Sequence, residues 1–179
     1  MNGKSKRKFL WAACFFAAFV LWTLAVGHVD VRPIGPEGSS VGFASLNDTF
    51  HHLTGVHLAL YNLTDLLEVI PLGVVLGFAL LGLAQLVRRK SLLKVDYSIL
   101  VLGGFYVLVF AAYALFEVLA VNYRPVLIDG VLEASYPSST TLLVLCVMPT
   151  AIPQLNSRIR DERLKRGLTY AIIVFTVLM

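Results

Sequence analysis

The sequence has few charged residues and few cysteines for its length. Lys, Arg, Asp and Glu make up 15% of the 179 residues, whereas soluble domains carry about 25%. Hydrophobic residues reach 58%, and the mean hydropathy is +0.78. Both cysteines, Cys14 and Cys146, lie inside apolar segments, where a thiol is usually a small packing residue and seldom a disulfide partner. The composition excludes an ordinary soluble domain and indicates a membrane protein.

The sequence contains several long apolar runs. Four are interpreted as membrane spans, because about 20 helical residues cross the hydrocarbon core, and a fifth reaches only about 16 Å. In the second run, the GxxxG spacing of Gly73 and Gly77 predicts close packing against another helix. With no internal repeat and no linker, we predict an all-α, polytopic membrane helical bundle that forms one domain over residues 1–179. Its segments lie near 9–26, 66–87, 98–120, 140–155 and, incomplete, 169–179.

The basic residues are distributed unevenly along the chain. Apart from Arg32 and Arg124, every Lys and Arg lies in 1–8, in 88–94 or in 158–166. If each apolar segment crosses once, these three places share one side of the membrane, and the positive-inside rule makes that side cytoplasmic. The first apolar segment has no A-x-A-like cleavage site, so it is expected to remain as an anchor. We expect a multi-pass plasma-membrane protein with a cytoplasmic N-terminus.

The first outer loop, 27–65, mixes apolar residues with His and Thr. This composition indicates a helix that is re-entrant or lies in the membrane interface. The side chains in it that could bind a metal or act in catalysis are His51, His52, His57, Asp48 and Asp65. Their spacing fits no clear motif, and histidines in such a segment are more often solvated or capping residues. We therefore predict no metal site and no cofactor.

The second outer loop, 121–141, reads VNYRPVLIDGVLEASYPSSTT and contains candidates for an anion site. Arg124 has a planar guanidinium that suits bidentate contact with phosphate or carboxylate oxygens. Ser138 precedes the fourth predicted helix, whose first N–H groups and positive dipole end also favour an anion. An anion could bind between the two if the span ends lie side by side. Under the structural alternative, Arg124 pairs with Asp129 or Glu133 or contacts lipid head groups. Ser138 then merely caps the helix.

The order NYRP and then YPSST resembles the type 2 phosphatidic acid phosphatase family. The usual family pattern is KxxxxxxRP, then PSGH, then SRxxxxxHxxxD. The resemblance implies a helical membrane enzyme that hydrolyses lipid phosphates or diphosphates at the outer face without a metal. It also implies that Arg124 holds the phosphate and that Ser138 hydrogen-bonds a phosphate oxygen. Ser139 stands in place of the family's glycine, whose backbone N–H approaches the phosphate.

Two departures from the family pattern concern catalysis. Thr140 stands where the family has its general-acid His, and a Thr hydroxyl has no usable pKa for that task. The sequence also contains no SRxxxxxHxxxD element, since no His follows Ser157 and Arg158 at the required spacing. No catalytic residue is therefore identified.

A third departure affects phosphate binding. Glu117 replaces the family's phosphate-binding Lys, and its carboxylate would repel a phosphate unless it were protonated or paired. Glu117 is therefore a possible modulator of the site. In the structural alternative, which we favour, it pairs with Arg124 or with the other outer cation, Arg32.

These observations lead to one hypothesis and two alternatives. We expect an integral membrane protein of this phosphatase kind whose partner is a phosphorylated membrane lipid, and which is incomplete as a catalyst. The alternatives are a non-catalytic protein that binds anionic lipid or a partner through the same pocket, and a fragment of a longer enzyme. The basic segments adjoin spans and carry no further nucleic-acid signature, so no nucleic-acid partner is expected.

Overall fold

The chain is helical over 77% of its length in a computed structural model that describes residues 3–127 and 130–179, and no strand forms in these ranges. The all-α prediction is therefore confirmed. The α-helices are α1 (Gly3–His28), α2 (Ala44–Thr54), α3 (Leu58–Leu67), α4 (Val69–Arg89), α5 (Tyr97–Leu119), α6 (Ser139–Arg158) and α7 (Glu162–Leu178). Two short 3₁₀ helices cover Pro36–Gly38 and Leu92–Lys94.

Three helices in the described part of the chain are long and apolar enough to cross a membrane. They are Gly3–His28, Leu58–Arg89 and Tyr97–Leu119, of which the second joins α3 and α4 into 32 residues. This finding fits the predicted membrane protein. The other two predicted segments correspond to α6, which contains Pro149 and Pro153, and to α7. That α6 and α7 also cross the membrane stays a prediction.

The chain folds as two compact units, which are described separately. The first comprises Met1–Val56 and Leu119–Tyr136, and the second comprises His57–Val118 and Pro137–Met179. The first unit contains α1, α2 and two irregular loops, and its most buried hydrophobic residues are Val26, Val41 and Ala44. Val26 lies near the end of α1, and Ala44 begins α2. The predicted single domain stays a prediction.

In the second unit, α6 lies at the centre. One buried cluster joins α6 to α7 and consists of Val144, Met148, Ala151 and Ile172. Another joins α6 to α5 and consists of Leu102, Tyr106 and Val147. Phe78 of α4 packs against both clusters. Because neighbouring helices surround α6, it tolerates two prolines and a lower apolar content than the candidate spans.

Among the described helices of this chain, none packs closely against the GxxxG glycines. A Cβ added at Gly73 or Gly77 would meet nothing within 4 Å, so no other described helix approaches them closely. The close approach occurs instead at Gly82, where an added Cβ would lie 3.0 Å from Cγ2 of Ile99 in α5. A spacing motif fixes which residues share a helix face, but it does not fix which face meets a neighbour.

Asp96 joins three helix ends in the second unit. The side chain of Gln85 donates to Asp96 at 2.8 Å, and Arg89 contacts the other carboxylate oxygen at 2.9 Å. Arg158, at the end of α6, lies 3.7 Å from Asp96. The hydrogen bonds from Gln85 and Arg89, in that order, lower the pKa of the Asp96 carboxyl. The basic ends of α4 and α6 therefore lie on the same side of this unit.

Candidate functional site

The loop around Arg124 forms a short hairpin in the first unit. The backbone N–H of Arg124 donates to the carbonyl of Glu133 at 3.0 Å, and Ser135 donates to Asn122 at 2.8 Å. This register places Arg124 opposite Glu133. Their side chains form an ion pair, with Nε 3.2 Å from Oε2, and both are roughly one-third exposed. Asp129, the other predicted partner, lies outside the described residues.

A second hairpin, around Arg32, belongs to the same unit. Arg32 and Val41 exchange backbone hydrogen bonds of 3.0 and 2.9 Å. The Arg32 guanidinium pairs with Asp30 at 2.9 Å and donates to the Ser45 hydroxyl at 2.9 Å. Asp30 also accepts from the backbone N–H of Ser45 at 2.7 Å. This backbone hydrogen bond is the main cause of the lowered pKa of Asp30, followed by the hydrogen bond with the Ser45 side chain and then by Arg32.

Asn122 holds the two hairpins together at the C-terminal end of α1. Its Oδ1 accepts from the backbone N–H of Gly42 at 2.7 Å, and its Nδ2 donates to the Ser135 hydroxyl at 2.8 Å. Gly42 in turn sits against α1, because an added Cβ would lie 1.9 Å from the carbonyl oxygen of Val26. A glycine is therefore required there. Arg32 and Arg124 belong to one folded unit at the end of a candidate span.

A polar cavity of about 580 Å³ opens between the two hairpins and α2. Its polar lining includes Arg32, Ser45, Asp48 and His51. Pro125 and Val126, which follow Arg124, form another wall. The cavity therefore combines a cation, a carboxylate and hydrogen-bonding groups with apolar walls, a lining that can orient a polar ligand.

The predicted hydroxyl cluster lies at the start of α6, in the second unit. Ser138 is the N-cap, and its hydroxyl accepts a hydrogen bond from the backbone N–H of Thr141 at 3.4 Å. Ser139 is the first residue of the helix, and Thr140 lies half-buried in the first turn. The predicted helix start is confirmed, and Ser138 caps it. This capped first turn groups Ser138, Ser139 and Thr140.

Arg124 and the hydroxyl cluster belong to different units, so their proximity stays a prediction. Glu117 lies in the last turn of α5, in the second unit, and is exposed. Its predicted pairing with Arg124 or Arg32, which are in the first unit, also stays a prediction.

No family model, curated protein or solved structure matches the chain.

His51, His52 and His57 form no recognisable metal centre among the residues that the structure describes. His52 lies 3.5 Å from the carboxylate of Asp48, one helical turn earlier on α2. Within the described residues, no three His, Cys, Asp or Glu side chains are grouped so that they could hold a metal ion. His51 is instead part of the polar cavity lining.

The sequence alone did not predict the residues that organise the first unit. Asn122 directly precedes the Tyr-Arg-Pro run, but its partner Gly42 is 80 residues away and no local pattern predicts that contact. The role of Arg32 in a cavity was also missed. The one feature of the sequence that distinguishes Arg32 is its position outside the three basic segments, and Arg124 has the same feature.

An apolar cavity of about 580 Å³ lies in the second unit, along α4, the following 3₁₀ helix and α5. Its lining includes Phe78, Leu86, Val95, Gly103 and Phe110. Nothing within 4 Å would meet a Cβ at Gly103, which leaves the groove open at that point. Such a surface suits a hydrocarbon chain.

Proposed function

We propose that this chain is an integral membrane protein that binds the phosphate of a phosphorylated membrane lipid at the outer face, in the manner of type 2 phosphatidic acid phosphatases. The observation that carries the proposal is the ordered Arg-Pro hairpin with Arg124, followed in the chain by the serine-capped first turn of α6. A guanidinium and a helix N-terminus are both suited to phosphate oxygens. The apolar cavity of the second unit supports a ligand that carries a hydrocarbon chain.

The roles of the residues follow from their chemistry. Arg124 supplies the positive charge, Ser138 a hydroxyl, and Ser139 a backbone N–H at the start of α6. A phosphate would compete with Glu133 for the guanidinium, because the two side chains are ion-paired at 3.2 Å. Glu117 modulates the site as a nearby carboxylate in the proposed arrangement. No cofactor or metal is needed for this binding.

Binding without turnover is the second candidate function, and Thr140 favours it. A threonine hydroxyl cannot act as a general acid near neutral pH, so protonation of a leaving group has no evident source at that position. The chain as given is therefore expected to bind a lipid phosphate but to release no inorganic phosphate from it. Sustained phosphate release from phosphatidic acid or from a polyprenyl diphosphate by residues 1–179 would overturn this expectation.

The binding proposal is tested by titrating short-chain phosphatidic acid into the purified protein in nanodiscs. Arg124→Ala should weaken binding about tenfold or more, because hydrogen bonds to charged groups contribute about 1.5–3 kcal/mol. The matched control is Arg160→Ala, which removes an exposed arginine between α6 and α7 and should leave this affinity unchanged. Equal affinity of wild type and Arg124→Ala would show that Arg124 does not bind the phosphate and that the hairpin has a purely structural role.

The proposed orientation places the N-terminus in the cytoplasm and both hairpins outside. The uneven distribution of Lys and Arg supports it. After replacement of Cys14 and Cys146 by Ala, a cysteine at the exposed Val131 should react with a membrane-impermeant maleimide in intact cells. A cysteine at Leu93, which is 93% exposed, should react only after lysis. The reverse pattern would invert the orientation.

A further inference from the structure

The helix α2 presents its apolar side outward. Leu46, Phe50 and Leu53 recur at helical spacing on one face and are 54%, 59% and 77% exposed. We call this set the α2 stripe. A helix on the surface of a soluble protein shows the opposite arrangement, with its apolar face toward the core. The α2 stripe therefore faces a medium in which apolar side chains are tolerated.

The other side of α2 is polar and faces the rest of its unit. The backbone N–H of Ser45 donates to Asp30 at 2.7 Å, and the side chain of Asn47 donates to the carbonyl of Gly42 at 2.8 Å. Asp48 and His51 line the polar cavity. At 100° per residue, Asp48 and His51 lie roughly opposite the α2 stripe, and Ser45 and Asn47 lie on its two flanks. Hydrogen bonds therefore hold the polar side of α2 in place. The side chains of the α2 stripe are apolar and form no hydrogen bonds.

The position of α2 is fixed relative to α1, which belongs to the same unit. Gly42 packs against the carbonyl of Val26, in the last turn of α1, and α2 begins two residues later. The ring of Phe43 stacks on Trp22 with centroids 5.5 Å apart. Trp side chains favour the membrane–water interface. Since α1 is a candidate span, α2 starts at the level where that span leaves the hydrocarbon.

We propose that α2 lies in the lipid interface at the C-terminal end of α1, with the α2 stripe among the lipid chains and the polar cavity toward the head groups. The proposed partner is the bilayer surface. Because α1 is a candidate membrane span and α2 begins beside its C-terminal end, the bilayer around α1 would also contact the α2 stripe. An interfacial helix buries its apolar face about 5–10 Å into the boundary between head groups and chains. This inference is independent of phosphate binding by Arg124.

Spin labels on two faces of the same helical turn test the proposal. In a background without Cys14 and Cys146, Leu53→Cys carries a label on the stripe, and His51→Cys carries the matched label on the polar face. The protein is reconstituted in phosphatidylcholine vesicles. The Leu53 label should collide more with oxygen, which concentrates in lipid, and less with a water-soluble nickel chelate. The His51 label should show the reverse preference.

Two outcomes would overturn the proposal. If the Leu53 label is as accessible to the nickel chelate as the His51 label, the stripe faces water. If it is shielded from both reagents, protein covers the stripe. Leu46→Cys, on the first turn of the stripe, repeats the measurement if Leu53→Cys does not reconstitute. A label at Phe16, which is 69% exposed on α1, gives the reference for a lipid-facing position.

Discussion

Asn122 accepts a hydrogen bond from the backbone N–H of Gly42 at 2.7 Å and so joins two loops that are 80 residues apart in sequence. The same side chain donates to Ser135 at 2.8 Å, within its own hairpin. Both ends of one amide are therefore used, one to fix the hairpin and one to fix its neighbour. Since Arg124 lies two residues further along, the position of its guanidinium depends on this amide.

We predict that Asn122→Ala destabilises the first unit. The change leaves the N–H of Gly42 without its acceptor, and an unsatisfied polar group of this kind costs about 1–3 kcal/mol. Thermal unfolding in detergent and limited proteolysis of the loops measure the loss. Asn122→Asp is the matched control, because it keeps an oxygen for Gly42 but loses the donor to Ser135, and it should lose less. An Asn122→Ala protein as stable as the wild type would contradict the prediction.

Gly42→Ala is predicted to disrupt the same junction by a steric route. The new Cβ would lie 1.9 Å from the carbonyl oxygen of Val26, a backbone atom that cannot turn aside. Overpacking of this kind costs about 1–3 kcal/mol, and a backbone clash belongs at the upper end. Gly77→Ala is the control, because its Cβ meets nothing within 4 Å. It should be neutral or slightly stabilising, since Ala is the better helix former. Similar melting temperatures for both variants would argue against the junction.

Sequence patterns predicted the helices but not their partners. Apolar runs located α1, α4 and α5, and the Pro-Ser-Ser-Thr-Thr run located the start of α6, because each of these depends on local composition and capping. The central position of α6 was not predicted, since its buried residues contact helices that are distant in sequence. By composition, a helix with two prolines and polar residues is a poor candidate for a membrane span. Packing against α4, α5 and α7 nevertheless makes α6 the core of its unit.

The candidate site shows the same division between local and non-local information. The capping role of Ser138 can be predicted from the residues next to it in the sequence. The ion pair between Arg124 and Glu133 depends instead on the register of the hairpin. Five and nine residues separate Arg124 from Asp129 and Glu133, and both distances permit an ion pair in a loop. The backbone hydrogen bond from Arg124 to Glu133 brings Glu133 opposite the guanidinium, and Asp129 lies outside the described residues.

Acid is predicted to weaken the cluster around Asp96. Hydrogen bonds from Gln85 and Arg89 hold the pKa of Asp96 below its ordinary value of 3.8. The folded state therefore favours the charged carboxylate, and this stabilisation is present above pH 3.8 and is lost as the pH falls through the folded-state pKa. Asp96→Asn should accordingly melt at a lower temperature than the wild type near neutral pH, and the difference should shrink on acidification.

The comparison with the wild type isolates Asp96 from other acids. Asp30 also has a lowered pKa, so the acid profile of the wild type contains both contributions. Because Asp30 is present in both proteins, it cancels in the difference between the wild type and Asp96→Asn. A difference in melting temperature that stays constant from neutral pH to below pH 3.8 would exclude a titrating role for Asp96.

Removal of the carboxylate opposite Arg124 is predicted to strengthen phosphate binding. Glu133 and a lipid phosphate compete for one guanidinium, and a partly exposed ion pair contributes about 0.2–1 kcal/mol. Glu133→Gln should therefore tighten the binding of short-chain phosphatidic acid by up to about fivefold. Glu162→Gln changes the net charge equally but lies in a pair with Lys165 at the start of α7. If both variants tighten binding alike, the effect is one of overall charge, and Glu133 does not gate Arg124. If Glu133→Gln alone tightens it and Arg124→Ala abolishes it, the hairpin pair controls access to the phosphate site.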